Sequence, residues 1–223
     1  MAIGIGALIA IFVATTAVSY VMQQKAMKKS KAAADAMAGV LVNKESNIEP
    51  IPVIYGTRRV GGVRVFVSTK DVPGGDKNEY LYIAHVLCEG KITGISDIRL
   101  DDKPIANWSG LYTIHAFYGD DTQTYNTPNA TFGTSFSGSI LQEGDPRWDS
   151  THALKGVAYL AIRLKWNKDK FQGIPDITCV VQGRALYDPR KDITSPAYDS
   201  GLGVTTHRTN NQATWQYSAN SAL

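Results

Sequence analysis

The distribution of apolar and polar positions divides the chain into three parts. Residues 2–22 contain no charged side chain, and residues 23–42 continue as an Ala- and Lys-rich run of helix-forming residues. Residues 43–50 show no periodicity and end in a proline, which is typical of a linker. From residue 51 onward, apolar and polar side chains alternate with a period of two. That alternation predicts β-strands, so a helical arm at residues 1–42 is followed by a β-rich region.

Residues 51–192 are predicted to form a β-rich domain with about seven strands and no convincing helix. Residues 79–88 are apolar on both faces, which predicts a strand at the centre of a sheet. Other strands are predicted over residues 63–67, 92–100, 111–118, 156–166 and 176–182. The predicted fold class is mainly β, barrel- or sandwich-like, with an N-terminal hydrophobic α-helical arm.

Two segments lack this alternation. Residues 119–151 are rich in Gly, Ser, Thr, Asn and Asp, and they predict a long loop of the functional or partner-ordered kind. Residues 193–223 are polar and short of apolar periodicity. They are expected to lead into a further region downstream.

The apolar arm is compatible with three structures. A helix over residues 2–22 would be roughly 30 Å long, which is the thickness of a bilayer core. A cleaved signal peptide is disfavoured because the lysines follow the apolar run instead of preceding it. A membrane anchor is favoured by composition alone, and a helix packed against copies of itself is the third option, since small residues recur every four positions. The residues assigned to helix packing or membrane contact are Ile5, Gly6, Ile9, Ala10, Val13 and Ala14.

Composition excludes some classes of function. The formal net charge is +3 over 223 residues, which is too slight to indicate sequence-specific nucleic-acid binding. At 43% hydrophobic residues the chain can bury a core. Cys88 and Cys179 each lie in an apolar run, which favours buried free thiols over a disulfide.

No catalytic or metal-binding motif is present in the sequence. His85, His115, His152 and His207 are scattered, without the i, i+4 spacing or the cysteine pair of a zinc site. The paired acids at 101–102 and 120–121 lack the ligand spacing of a calcium loop, and no nucleophile elbow or phosphate loop occurs. We therefore predict no enzyme activity, no cofactor and no metal.

The junction segment, residues 51–62, carries the most distinctive local chemistry. Pro52 cannot donate a ladder hydrogen bond, so a strand can begin there but cannot be centrally paired at that point. Arg58 and Arg59 stand between glycines that allow a turn or a bulge. Paired arginines on a strand more often contact protein or deter edge pairing than bind phosphate.

Three segments, which follow one another along the chain in the same order as in the family, resemble the central tail hub, or tip attachment, proteins of lambda-like long-tailed phages. They are the junction segment, the strand at residues 79–88 with its following turn, and the stretch 183–190, and the closing residues 217–220 also match. The residues that carry the hub motif are Pro52, Tyr55, Gly56, Arg58, Arg59, Gly61, Gly62, Glu89, Gly90, Gly183 and Arg184.

The resemblance implies a structural virion protein without catalysis. Such a protein would be a homotrimer at the distal end of the phage tail, assembled in the host cytoplasm. It would close the tail tube and join the distal tail ring protein, the end of the tape measure protein, and other tail tip proteins and fibres. The apolar arm would supply a trimer plug or touch the host membrane during genome ejection.

The sequence departs from the family at its end. Ser221 stands where the family has a proline, and the chain ends at Leu223 instead of continuing for several hundred residues. We therefore expect the N-terminal portion of a hub, without receptor recognition. The alternative is a membrane-anchored bacterial β-domain binding protein with an N-terminal transmembrane helix.

Overall fold

Ten strands form two sheets in the part of the chain that the computed structural model describes. That part comprises residues 44–45, 50–74, 77–171, 173–202 and 206–216. The strands are β1 (Lys44–Glu45), β2 (Thr57–Val60), β3 (Val63–Lys70), β4 (Tyr80–Glu89), β5 (Gly94–Leu100), β6 (Lys103–Pro104), β7 (Tyr112–Tyr118), β8 (Ala130–Gly133), β9 (Val157–Lys165) and β10 (Ile177–Gln182). One short α-helix, α1 (Ile140–Gly144), lies between β8 and β9, and 3-10 turns occur at Ile105–Trp108, Ser150–His152, Pro189–Lys191, Ser200–Leu202 and Gln212–Thr214.

The larger sheet has the strand order β1-β3-β4-β9-β7-β8, and the smaller has the order β2-β10-β5-β6. Every pairing is antiparallel except that of β1 with β3. The predicted mainly β class is confirmed. Between the two predicted arrangements, barrel or sandwich, the described strands form a sandwich of two sheets and no closed barrel. The predicted helical arm lies outside the described residues.

Strand β4 occupies the middle of the larger sheet, as its two apolar faces predicted. It pairs with β3 on one side and with β9 on the other. Alternate residues of β9 point to opposite faces, so Leu160 and Ile162 face the smaller sheet while Tyr159 and Ala161 face away from it. The core between the sheets is therefore built mainly from branched aliphatic side chains of both sheets.

A second core lies on the outer face of the larger sheet, and residues 119–156 supply the side chains that cover that face. Ile140, Leu141 and Trp148 pack there against Tyr82 and Tyr159 of β4 and β9. The segment predicted as a long loop, residues 119–151, thus contains two short regular elements, β8 and α1. The helix is capped by Ser139, whose side chain accepts from the Gln142 backbone N–H, but its five residues are too few to give a periodic signal.

The predicted linker and the predicted polar tail also make regular contacts. Lys44 and Glu45, inside the linker, pair with the start of β3. In the tail, the backbone of Gln216 forms a bridge with that of Leu186, which lies in the segment after β10.

Candidate assembly site

The junction segment joins the two sheets, and much of the hub motif comes together around it. The Pro52 carbonyl accepts the backbone N–H of Glu89 at the end of β4, at 2.9 Å. Next to it, the Ile54 carbonyl accepts the N–H of Arg184, at 2.9 Å, and the Gly56 carbonyl accepts that of Gly183, at 2.8 Å. Segments more than a hundred residues apart in the sequence are therefore bonded directly to each other here.

Two motif glycines are required by close backbone approach. A methyl group on Gly183 would lie 2.6 Å from the carbonyl carbon of Ile54, so only glycine allows the two backbones to meet there. Gly62 has φ +66°, and a methyl group on it would collide with the backbone carbonyl oxygen of Val86. Gly62 is the point at which the chain leaves the smaller sheet (β2) and enters the larger one (β3).

The two motif arginines behave differently. Arg59 crosses β10 to bond the Thr178 hydroxyl, at 3.4 Å, and the Asp97 carboxylate of β5. Asp97 is also held by Arg99, and these contacts, the Arg99 hydrogen bonds foremost, lower the pKa of its carboxyl group. Arg58 is exposed. Arg59 therefore links the edge strand β2 to β10 and β5 within the chain.

The outer side of the junction segment exposes a row of apolar residues. Ile54 points inward and is 5% exposed, whereas Ile51, Val53 and Tyr55 are 36%, 43% and 47% exposed. This alternation follows from strand geometry, since the segment forms isolated bridges to the ends of β4 and β10. An exposed apolar row beside a sheet end is typical of a protein contact surface.

A groove of about 590 Å³ opens beside the motif cluster. Its walls are the turn after β4, the start of the loop after β7, the segment after β10 and the turn at Gln212–Thr214. Lys91 and Asp120 form an ion pair in its wall, and the hydrogen bonds from Lys91 and Thr122 lower the pKa of Asp120. Sequence reasoning missed this groove because its walls come from turns at distant positions, each of which has an ordinary turn composition.

The remaining candidate chemistry is structural. His85 and His115 lie buried in β4 and β7, and burial lowers the pKa of His85 to about 4, an effect that the charge of Arg64 reinforces and the Gly61 backbone opposes. Cys88 and Cys179 are buried free thiols whose pKa values burial raises to about 12, so the favoured interpretation of them is confirmed. Within the described residues, no group of three or more His, Cys, Asp or Glu side chains could hold a metal ion.

The six residues assigned to helix packing or membrane contact, from Ile5 to Ala14, lie outside the described part of the chain. In the part that is described, no helix combines the length and apolar character needed to cross a bilayer. The closing residues 217–220 also lie outside the described part.

Comparison with known proteins finds similarity in sequence to a phage protein and in structure to several solved chains. No family model matches the chain. The baseplate hub protein pb3 of Escherichia phage T5 is 21% identical over an alignment of 215 residues, which covers 74% of this chain and 21% of that protein. The chain thus spans about a fifth of the length of this relative. Among solved structures, a chain from the virion of a native gene transfer agent particle matches with a TM-score of 0.46 and 19% identity, covering 67% of this chain and 30% of that one.

Proposed function

We propose that this chain is a structural hub subunit of a bacteriophage tail, which joins neighbouring tail proteins and carries out no catalysis. The sequence similarity to a phage baseplate hub protein supports this class of function. The residues selected by the resemblance to tip attachment proteins also support it, because five of them take part in the backbone hydrogen bonds of the junction.

The observation that carries the proposal is the construction of that junction. Pro52, Glu89, Gly183 and Arg184 hold the two sheets together through backbone bonds of 2.9 Å or less. A rigid junction of this kind presents Ile51, Val53 and Tyr55 on its outer side at fixed positions, at low conformational cost on binding. An assembly protein needs such preorganised contact surface, and an enzyme would instead need convergent reactive groups.

We further propose the assembly and the partners that the resemblance to tip attachment proteins implies. The chain is one subunit of a homotrimer that closes the distal end of the tail tube in the virion. It contacts the distal tail protein, the end of the tape measure protein, and other tip proteins and fibres. In this proposal the small residues that recur every four positions, Gly6, Ala10 and Ala14, pack the N-terminal arms together or contact the host membrane during ejection.

The first experiment measures the mass of the purified full-length chain by light scattering coupled to size exclusion. We expect three times the chain mass of 24.2 kDa. Replacing Gly6, Ala10 and Ala14 together by Leu should reduce the association. A chain that stays in the membrane fraction and is monomeric after solubilisation would support the membrane-anchored binding protein instead.

The second experiment tests the junction surface against purified distal tail protein and tape measure protein of the same phage. Tyr55→Asp should weaken co-purification with at least one of them by about tenfold or more, because an exposed aromatic anchor is removed. Ile174→Asp is the matched control, since Ile174 is 46% exposed and lies outside the junction segment. Equal effects of the two substitutions would contradict a role for the junction segment in assembly.

A further inference from the structure

Arg184 and Gly90 are the two residues of the hub motif that also line the groove, and Arg184 is the charged one. Its backbone is fixed by the N–H donated to the Ile54 carbonyl and by the bridge with Tyr55. Its side chain lies across Gly90: a methyl group on Gly90 would be 3.1 Å from Nε and 3.2 Å from Cζ of Arg184. The guanidinium group is thus held in place at the wall of the groove by packing on the chain beneath it.

The guanidinium group of Arg184 has no acceptor within the described part of the chain. By contrast, Arg59, Arg147 and Arg190 each bind a carboxylate. Arg184 is half-buried, and partial burial of a cation without an acceptor is unfavourable. The groove therefore contains a positive charge to which an acceptor from another molecule can bind.

We propose that Arg184 binds a carboxylate that a partner protein inserts into the groove. The planar guanidinium group offers parallel N–H donors that match the two oxygens of a carboxylate, and such charge-assisted bonds are about twice as strong as neutral ones. The groove is large enough for several residues of an extended segment, and Trp215, which is half-buried, supplies apolar surface in its lining. This inference rests on the proposed function only in that the partner is another tail protein.

The acidic residues of the groove favour a singly charged protein carboxylate over a polyphosphate. Asp120 and Asp121 also line the groove, and although Lys91 offsets the charge of Asp120, Asp121 is exposed and unpaired within the described residues. A chain of phosphates would be repelled there. A single Asp or Glu flanked by uncharged residues brings one negative charge to Arg184 and is therefore repelled less by Asp121 than a polyphosphate is.

The test uses the full-length chain, labelled with ¹⁵N, and follows the Nε–H signal of Arg184 by NMR. The probes are the capped peptides acetyl-Gly-Glu-Gly-amide and acetyl-Gly-Gln-Gly-amide, with sodium phosphate as a third. We expect a saturable shift with the Glu peptide and roughly tenfold weaker binding of the Gln peptide, which lacks the charge. Shifts of the Gly90 and Lys91 amides should accompany it.

Two substitutions of Arg184 and one matched control locate the effect. Arg184→Gln should abolish the shifts at Gly90 and Lys91, and Arg184→Lys should weaken them several-fold because the planar fork is lost while the charge and fold are kept. Arg58→Gln makes the same chemical change on an exposed strand residue outside the groove and should leave binding unchanged. Near-ultraviolet circular dichroism checks that each variant is folded.

The inference fails if the Glu peptide gives no saturable shift, if the Gln peptide binds equally well, or if Arg184→Gln retains binding. Phosphate binding as tight as that of the Glu peptide would also overturn it, since the site would then be a general anion site. The mass of the same samples separates this result from the proposed function. A trimer that binds no peptide refutes the groove site alone, and a monomer that binds the Glu peptide refutes the trimer alone.

Discussion

Gly183→Ala tests the view that close backbone contact at the junction holds the two sheets together. The added methyl group would lie 2.6 Å from the carbonyl carbon of Ile54, so the junction segment must move away from the end of β10. That movement breaks the bonds from Gly183 to Gly56 and from Arg184 to Ile54, worth about 1–3 kcal/mol together. Ile54, now 5% exposed, would lose part of its burial, which adds about 1 kcal/mol.

We therefore expect Gly183→Ala to lower the free energy of unfolding by about 2–4 kcal/mol, a large part of the stability of an ordinary domain. Urea denaturation followed by tryptophan fluorescence measures it, with the m-value checked for a change in cooperativity. Gly173→Ala is the matched control, because a methyl group there meets nothing within 4 Å. A loss below about 0.5 kcal/mol for Gly183→Ala, or equal losses for both variants, would refute the reasoning.

Three further predictions concern pH, an ion pair and the second core. The pKa of His85 falls from 6.5 to about 4 on folding, so its contribution to the free energy of unfolding is full above pH 6.5 and is lost as the pH falls towards 4. His85→Leu should therefore remove about 3 kcal/mol from the change in the free energy of unfolding that urea denaturation measures between pH 7.5 and pH 4. A double-mutant cycle with Arg59→Ala and Asp97→Ala should give a coupling below about 1 kcal/mol, because both side chains are partly exposed, and a larger value would show that solvent screens the pair less than assumed. Leu141→Ala should cost about 2–4 kcal/mol, whereas Leu202→Ala, at a residue 40% exposed, should cost little; equal losses would deny the second core.

The sheet-forming segments could be predicted because buried and exposed side chains alternate along a strand, so apolar residues recur in the sequence with a period of two. Residues 79–88 are apolar on both faces, and β4 is accordingly buried between two neighbouring strands and two cores. In β9 the aliphatic residues at 158, 160, 162 and 164 face the smaller sheet, as their alternation indicated. The choice between barrel and sandwich was not predictable, because it depends on which distant strands pair, such as β2 with β10.

The second core and the groove could not be predicted for different reasons. Phe136, Ile140, Leu141 and Trp148 cover the larger sheet, yet their spacing fits neither strand nor helix over a useful length. The groove depends on Arg184 lying over Gly90, a contact between residues 94 positions apart that no local pattern encodes. What the sequence resemblance supplied was the identity of the residues at the junction, and geometry then explained several of them.

The pairing of β2 with β10 has a consequence for how the chain is made. Arg59 lies opposite Val180, so the partner of β2 leaves the ribosome about 120 residues later, roughly 6–24 s at ordinary rates of synthesis. During that interval β3, β4 and then β9 can assemble the larger sheet, whereas β2 has no strand to pair with. A nascent chain stalled before residue 177 should therefore expose the junction segment to proteases, and one stalled well after residue 184 should protect it.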